Sequence, residues 1–454
     1  MKVHFIAIGG SAMHNLALCL KNNGHEVSGS DDAIHEPSRS RLEKAGILPA
    51  QTGWFPDKIT ARLDMVVLGM HARADNPELV KARELGIRVL SYPEFVYEQS
   101  KEKQRIVIAG SHGKTTVTAM LMHMLRQAGA KFDYLVGAQL SGFDTMVQLS
   151  DAPIMVIEGD EYLASPIDRR PKFMLYRPHI ALITGIAWDH VNVFPTWESY
   201  VDQFRKLIEV IEPDGVLVYC NRDVSLVKLI GETERRDIRF VQYGIPPHSI
   251  ENGVTKLAAR IGGGVETILQ VFGEHNLSNC AGAAQLCGLA GYSVEAAFRS
   301  MASFPGASRR LERIGANEQC VVFRDFAHSP SKVKATIDAV KKQFGVRRLT
   351  AVLELHTFSS LTPEFLKEYK GSMGYADRAI VFYNPATLEH KKLPPITKEQ
   401  VRSAFQMPEL EVINSSKDLF YALAADEWSE KNLLLMSSGT FEGLDTDALL
   451  AKVL

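Results

Sequence analysis

Short runs of Val, Ile and Leu alternate with longer amphipathic stretches along the chain. Such runs, bounded by Gly, Asp or Asn, predict buried parallel strands, and the stretches between them predict helical crossovers. The runs fall into three groups, which are VHFIAIG, HEVSGSD, DMVVLG and IRVLS; then RIVIAG, APIMVIEGDE, HIALITGIAWD and GVLVYC; then, from near residue 308, CVVFRDF, LTAVLEL, AIVFYN, LEVINS and NLLLMSS. The pattern predicts three α/β domains.

Three stretches between these runs have a different character. KLAARIGGGVETILQVFG alternates around a Gly run and predicts an antiparallel hairpin, and HNLSNCAGAAQLCGLAGY predicts a helix with a small apolar face. The polar stretch YEQSKEKQ predicts a linker. We therefore place the domains at residues 1–102, 103–306 and 307–454.

Composition narrows the functional class. With 454 residues the chain exceeds what one hydrophobic core usually supports, and 46% apolar and 23% charged residues are typical of a globular protein. A net charge of -2 gives no reason to expect a nucleic-acid or acidic-membrane partner. Neither a signal peptide nor an apolar run of about 20 residues is visible, so we expect a cytoplasmic protein without a membrane span. The five cysteines form no C-x-x-C pair, which predicts free buried thiols.

The stretch AGSHGKTTVTAM, residues 109–120, joins a predicted strand to a predicted helix. The exposed amides of such a helix start bind anions. Lys114 is placed to reach the outer phosphates of a nucleotide, and Thr115 is placed to offer its hydroxyl to a phosphate-bound magnesium ion. The loop therefore predicts nucleotide binding, although Ile108 stands where the strict phosphate-loop pattern has glycine.

Carboxylates follow the next two predicted strands. VIEGDEY contains Glu158, Asp160 and Glu161, and ITGIAWDHVNVF contains Asp189 and His190. Open α/β sheets place ligands at such strand ends. Magnesium prefers oxygen ligands, so these carboxylates are candidates to hold it.

A second glycine-rich loop, IGGSAM, follows the first predicted strand, and GSD ends the second one. The loop has only part of the dinucleotide pattern G-x-G-x-x-G, because Ser11 and His14 replace its later glycines. Asp31 or Asp32 lies at a distance along the chain that suits a ribose hydroxyl. The loop favours a nucleotide diphosphate over a nicotinamide cofactor.

Six motifs together resemble one family. AGSHGKTT, EGDEY, the DH pair near residue 190, GEHNLSN, SRRLE and DFAHSP fall in the order and spacing of the Mur ligases, the ATP-dependent amide-forming enzymes of peptidoglycan assembly. The resemblance spans essentially the whole chain. It implies an N-terminal Rossmann-like UDP-binding domain, a central ATP-binding phosphate-loop domain and a C-terminal Rossmann-like domain that receives the incoming amine.

Within the family, AGSHGKTT, HFIAIGGSAM and GSD resemble the branch that uses UDP-N-acetylmuramate. EGDEYLASPIDRRPKF and MSSGTFEGL resemble the members that attach the tripeptide L-alanyl-γ-D-glutamyl-meso-diaminopimelate in peptidoglycan recycling. The alternative acceptor is L-alanine. The resemblance implies small-molecule partners, ATP and magnesium as cofactors, and a monomer or homodimer.

The resemblance also implies roles for individual residues. For catalysis the residues are Lys114, His190, Arg309, Asp325 and His328. For ATP they are Gly110, Ser111, His112, Gly113, Lys114, Thr115, Thr116, His275, Asn276, Asn279 and Arg310. For the UDP-sugar they are Gly9, Gly10, Ser11, Ala12, Met13, Ser30, Asp31 and His112. For magnesium they are Thr115, Glu158 and His190.

The chain departs from the family pattern at three places. Ser329 replaces the second His of the commoner DFAHHP motif, and LELHTFSSLTPEF lacks the arginine of the likely relatives. Phe204 lies near the position of the carbamylated lysine of several family members. These departures bear most on the amino substrate, which the sequence leaves open between tripeptide and L-alanine.

Three other interpretations compete with this one. A folylpolyglutamate synthase type of ligase has no UDP-binding N-terminal domain. A nicotinamide-dependent oxidoreductase would leave GSHGKTT unused. Intact Lys114, Glu158, His190 and Asp325 argue against a catalytically silent nucleotide-binding regulator.

Overall fold

The computed structural model describes residues 1–70, 72–140, 142–143, 145–188, 193–307 and 309–454. The chain forms two compact units. Unit 1 comprises Met1–Ile186, Val201–Gly244 and Gly282–Ala297, and unit 2 comprises Ala187–Tyr200, Ile245–Ala281 and Phe298–Leu454.

The first sheet of unit 1 is parallel and has the strand order β2-β1-β3-β4. Its elements are β1 Lys2–Ile6, α1 Ser11–Asn22, β2 Glu26–Ser30, α2 Ser38–Lys44, β3 Met65–Leu68, α3 Pro77–Glu84, β4 Val89–Ser91 and α4 Tyr92–Ser100. Ile6, Val66 and Leu68 pack with Leu79 of α3 in a buried cluster. The helix therefore covers one face of the sheet.

The second sheet of unit 1 has the order β11-β10-β9-β5-β8-β6-β7 and is parallel except for β7. Its strands and the helices of the same stretch are β5 Gln104–Ala109, α5 Lys114–Gln127, β6 Phe132–Leu135, β7 Val147–Gln148, β8 Ile154–Glu158, β9 Ile180–Ile183, α6 Trp197–Glu209, β10 Val216–Cys220, α7 Val224–Gly231 and β11 Arg239–Tyr243. β5 pairs with β8 on one side and with β9 on the other. The loops after these three strands consequently meet at one edge of the sheet.

A small antiparallel sheet in the order β12-β13-β14 belongs to unit 2. This part of the chain contains β12 His248–Glu251, β13 Val254–Leu257, β14 Thr267–Leu269, α8 Glu274–Leu289 and α9 Val294–Ser300. β13 and β14 enclose the Gly run, so the predicted hairpin and the helix after it are confirmed.

The large sheet of unit 2 has the order β15-β16-β20-β17-β18-β19, with only β15 antiparallel among these strands. Its elements are β15 Glu312–Ala316, β16 Val321–Asp325, α10 Pro330–Gln343, β17 Arg348–Glu354, α11 Pro363–Leu366, β18 Arg378–Phe382, α12 Pro385–His390, α13 Lys398–Phe405, β19 Glu411–Ile413, α14 Ser416–Ala424, β20 Lys431–Met436 and α15 Thr446–Val453. In β17, Ala351 and Leu353 face one buried cluster and Val352 faces another. A strand that is buried on both faces has an unbroken apolar run, which is why the sequence predicts this strand.

The predicted linker YEQSKEKQ is wrong in its first half, because α4 continues through Ser100. Ser91 and Glu94 form a capping box that starts this helix, and its own residues Phe95 and Val96 are buried. The polar residues of the first half of the stretch therefore belong to a packed helix. The short strands β6, β7, β11, β12 and β15 were not predicted.

Candidate functional site

The loop between β5 and α5 has the geometry of an anion cradle. Gly110 has a φ of +125° and Gly113 one of +79°, both in the region that favours glycine. A Cβ at Gly110 would stand 2.1 Å from Thr184 Oγ1. Gly113 is the N-cap of α5, and no side chain caps the helix, so its first-turn amides face the loop.

Thr184, which sequence reasoning missed, directly follows the neighbouring strand β9 and supports this loop. Its hydroxyl donates to the carbonyl of His112 and, at 3.3 Å, to that of Ala109. Ser111 N–H donates to the Gly185 carbonyl at 3.0 Å. The available signal was a hydroxyl residue that directly follows four apolar residues, IALI, in a predicted strand run.

Lys114, which is partly buried, forms an ion pair with the buried Glu161 at the start of α5. Its Nζ lies 2.7 Å from Glu161 Oε2 and 2.7 Å from the Gly110 carbonyl oxygen. Burial by itself lowers the pKa of Lys114, but the carboxylates of Glu161 and Asp160 outweigh it, so the pKa is raised and the side chain is a cation. Glu161 thus contacts the lysine, and Asp160 pairs with Lys172 at 2.7 Å.

Thr115 and Glu158 form the oxygen pair of the site. Thr115 Oγ1 donates to Glu158 Oε1 at 2.7 Å, and Gly137 N–H donates to Glu158 Oε2 at 2.8 Å. A hydroxyl and a carboxylate this close are hard oxygen donors that suit a magnesium ion with several retained waters. No cluster of three or more His, Cys, Asp or Glu side chains suited to a metal occurs in the described ranges. Asp189 and His190, predicted beside this pair, lie outside the described residues.

A hydrogen bond to Asp31 stabilises the N-terminal glycine loop. Gly9 N–H donates to Asp31 Oδ2 at 2.7 Å, and a Cβ at Gly9 would stand 2.9 Å from that oxygen. Asp31, Ser30 and Met13 are buried. Asp31 therefore shapes the loop.

The exposed part of this loop is the start of α1. Ser11 and Ala12 are exposed, and Gly10 is an N-cap without a side-chain hydrogen bond. Lys58, whose Nζ lies 3.2 Å from Ser30 Oγ at the end of β2, was not predicted as a site residue. A helix start and an ammonium group near the ends of two adjacent strands suit an anionic ligand.

The residues expected at the adenine lie on the first two turns of α8. Asn276 Nδ2 donates to the Phe272 carbonyl at 2.9 Å, and Asn276 and Asn279 are both buried. Burial lowers the pKa of His275 to about 4 despite the acidic neighbours Asp338 and Glu274. His275 is consequently neutral at physiological pH.

Asp325 organises the turn that carries the two predicted arginines. Its carboxylate accepts from Leu311 N–H at 2.5 Å and from Ala327 N–H at 2.6 Å. Burial raises the pKa of Asp325, which Arg310 and these amides partly counteract. The guanidinium of Arg310 lies 4.5 Å from the centre of the Phe326 ring.

Arg309 has a φ of +56°, a strained value for a non-glycine residue, and its Nη2 donates to the Gly439 carbonyl at 3.2 Å. His328 Nδ1 lies 2.8 Å from the Phe326 carbonyl oxygen. Asp325, Arg309, Arg310 and His328 are thus brought together at the carboxyl end of β16. Ser329 is the N-cap of α10, and its buried hydroxyl has no hydrogen-bond partner in the described part of the chain.

Phe204 is fully buried, with its ring centre 5.9 Å from that of Phe173. It is a core residue and offers no metal ligand. Within the described ranges, no helix combines the length and the apolar character that crossing a bilayer requires.

These features define the class of the protein: it is an α/β protein in which a parallel strand runs into a phosphate loop with Lys and Thr. Models of the Mur ligase family match most of the chain. The Mur ligase family, catalytic domain model matches residues 2–104, the Mur ligase middle domain model 108–287, and the Mur ligase, glutamate ligase domain model 309–439.

Two curated relatives and one solved structure illustrate the similarity. A UDP-N-acetylmuramate–L-alanine ligase of Kineococcus radiotolerans is 31% identical over 90% of this chain and 86% of its own length. The UDP-N-acetylmuramate–L-alanyl-γ-D-glutamyl-meso-2,6-diaminoheptandioate ligase of Haemophilus influenzae is 27% identical over 97% of both chains. A murein peptide ligase structure from Psychrobacter arcticus has a TM-score of 0.64 and 26% identity, covering 100% of this chain and 98% of the other.

The chain belongs to the Mur ligase family and has its three-domain α/β fold. It is an ATP-dependent ligase of peptidoglycan synthesis. The expected family is therefore confirmed, whereas the domain boundaries near residues 102 and 306 stay predictions.

Proposed function

We propose that this ligase joins the carboxylate of UDP-N-acetylmuramate to the amino group of L-alanyl-γ-D-glutamyl-meso-diaminopimelate through an acyl phosphate, at the expense of ATP. The observation that carries the proposal is the arrangement of Lys114, Thr115 and Glu158 around the first turn of α5. At one edge of the sheet, the Lys114 cation and the first-turn amides of α5 lie beside the oxygen atoms of Thr115 and Glu158.

Each part of this arrangement has a task in phosphoryl transfer, which depends mostly on positioning and charge neutralisation. Lys114 and the α5 amides bind the outer phosphate oxygens. Thr115 and Glu158, with His190 by resemblance, hold magnesium, which neutralises phosphate charge when bound. By resemblance alone, Arg309 and Arg310 supply further positive charge to the reaction. The α1 start binds the diphosphate of the UDP-sugar.

The tripeptide is supported by EGDEYLASPIDRRPKF and MSSGTFEGL, and by the Haemophilus influenzae relative, which aligns over nearly the full length of both chains. The second candidate acceptor is L-alanine. It is favoured by curated L-alanine ligases that are 31–33% identical to this chain.

An assay of phosphate release from ATP distinguishes the two candidate acceptors. It contains UDP-N-acetylmuramate and one amine at a time. We expect release with the tripeptide and none with L-alanine, and no release from a Lys114→Ala variant with either amine. Release with L-alanine alone would replace the tripeptide by the second candidate. A cytoplasmic location and a monomeric or homodimeric state remain predictions.

A further inference from the structure

Two side chains of the N-terminal sheet region contact the β6–β7 loop, by which we mean residues 136–140, 142–143 and 145–146 between β6 and β7. Asn15, on α1 and fully buried, accepts through Oδ1 from Met146 N–H at 3.2 Å. Arg41, on α2, donates from Nη1 to Asn15 Oδ1 and from Nη2 to Gln139 Oε1, each at 3.2 Å. The planar guanidinium thus joins α1 to the loop with two separate N–H groups.

The same cluster is bonded to the first turn of α1. Asn15 Nδ2 donates to the Ser11 carbonyl at 2.8 Å. His14 Nε2 faces two donors, Asn15 Nδ2 at 3.1 Å and Arg41 Nη1 at 3.4 Å, so this nitrogen carries no proton. The proton is then on Nδ1, which lies 3.0 Å from the Gly10 carbonyl oxygen. The helix start proposed for the diphosphate is therefore fixed to Arg41.

The other end of the loop is hydrogen-bonded to Glu158, the carboxylate proposed to bind magnesium. Gly137 N–H is the donor to Glu158 Oε2, and Val136 N–H closes the loop base on the Met146 carbonyl at 2.9 Å. Arg126 of α5 donates to the Gly142 carbonyl at 2.7 Å. A shift of the loop would consequently move a donor of Glu158.

We propose that Asn15 and Arg41 are positioning residues that fasten the β6–β7 loop to α1 and so set the UDP-sugar against the Thr115–Glu158 pair. The inference rests on the proposed function, because it requires the UDP-sugar at the α1 start. Neither residue needs to touch the reacting atoms. Their effect is on the alignment of the sugar carboxylate with the phosphoryl group, where an ångström of misplacement lowers rate strongly.

Three variants test this, with one matched control. Asn15→Ala removes the acceptor of Met146 N–H, and Gln139→Ala removes the loop partner of Arg41 without altering α1. Gln139→Glu keeps an acceptor for Arg41. Asn23→Ala is the control, because Asn23 Nδ2 also donates from the chain just after α1 to this part of unit 1, at 2.7 Å from the Leu149 carbonyl oxygen, outside the loop.

We expect kcat/KM for UDP-N-acetylmuramate to fall about ten-fold or more in Asn15→Ala and Gln139→Ala, with KM for ATP within about two-fold of wild type. Gln139→Glu and Asn23→Ala should stay within about two-fold throughout. Calorimetric titration with UDP counts the folded, binding-competent molecules in every sample, so rates refer to active protein.

Wild-type kcat/KM in Asn15→Ala and Gln139→Ala, or an equal loss in Asn23→Ala, would overturn the inference. Failure of the proposed function is seen separately, in the wild type, as no binding of UDP and no phosphate release with UDP-N-acetylmuramate. Folding defects are recognised from a reduced number of UDP sites.

Discussion

Lys114 is partly buried and keeps its charge because neighbouring carboxylates, Glu161 first among them, stabilise the ammonium group. Glu161 Oε2 and the Gly110 carbonyl each lie 2.7 Å from Nζ, and Glu161 is only 1% exposed. An ammonium group has three donors, so these two contacts leave capacity for a phosphate oxygen. The carboxylate therefore maintains the cation that phosphate binding requires.

This pair leads to a prediction about stability and activity. Lys114→Met should abolish ATP-dependent phosphate release and lower the free energy of unfolding by about 3 kcal/mol, because Glu161 stays buried without its cation. Adding Glu161→Gln should restore most of the stability and none of the activity. Urea denaturation and the phosphate-release assay measure the two effects.

A double variant that regained activity would show that Lys114 is not needed for turnover. A single variant as stable as the wild type would show that the ion pair contributes little to folding.

At the residue scale, the pairing of Glu158 with Thr115 follows from motif order, because Glu158 ends β8 and Thr115 lies in the first turn of α5, at the same edge of the sheet. The pairing of Glu161 with Lys114 does not follow from the sequence. Glu158, Asp160 and Glu161 are equivalent candidates until the backbone turns after β8 and gives each a different partner.

At the element scale, the first turn of α8 contains a histidine whose environment disfavours protonation. Burial lowers the pKa of His275 to about 4, from an ordinary value of 6.5. The unfolded chain therefore binds a proton at a higher pH than the folded chain. The resulting stability is complete above about pH 6.5 and is lost as the pH falls toward 4.

We expect the free energy of unfolding to fall more steeply between pH 6.5 and pH 4.5 in the wild type than in His275→Gln. The difference should reach about 2 kcal/mol, since each pKa unit corresponds to about 1.4 kcal/mol. Denaturant titrations at several pH values measure it, and the variant cancels the contribution of carboxylates common to both chains. Identical slopes would show that His275 protonates without penalty in the folded state.

Strands that are buried on both faces could be predicted from the sequence, whereas a strand that contains a buried polar group could not. β6 contains the buried Asp133, which accepts from Ser150 Oγ at 2.6 Å and from Lys103. In the sequence alone, a carboxylate within a four-residue run argues against a buried strand. Partners from two other segments satisfy it, so the strand is stable only in the folded context.

At the scale of the whole molecule, the small β12–β14 sheet is hydrogen-bonded to α10, which packs on the large sheet of unit 2. Buried Thr255 donates from Oγ1 to Gln343 Oε1 at 2.9 Å, and Gln343 Nε2 donates to the Gly253 carbonyl at 2.5 Å. The ring of Phe272 meets those of Phe323 and Phe344. Residues after 306 therefore complete the core around residues 245–281.

This arrangement allows a test of the predicted boundary. In a fragment of residues 1–306, thermolysin should cut segment 245–281 much faster than in the full chain, because Thr255 and Phe272 lose their partners. Segment 104–183 should resist equally in both and serves as the internal control. Mass spectrometry of the early cleavage sites measures the difference. Equal resistance of segment 245–281 would place a self-sufficient domain before residue 306.

The sequence by itself determined the α/β class, the family and the strand ends at which chemistry is placed. These features are local, since an apolar run predicts a strand and a glycine-rich turn predicts a loop that accepts anions. The tertiary structure decided which charge meets which partner. It joined Glu161 to Lys114, Asn15 to Met146 and Gln343 to Thr255, because strand order brings together residues that are distant along the chain.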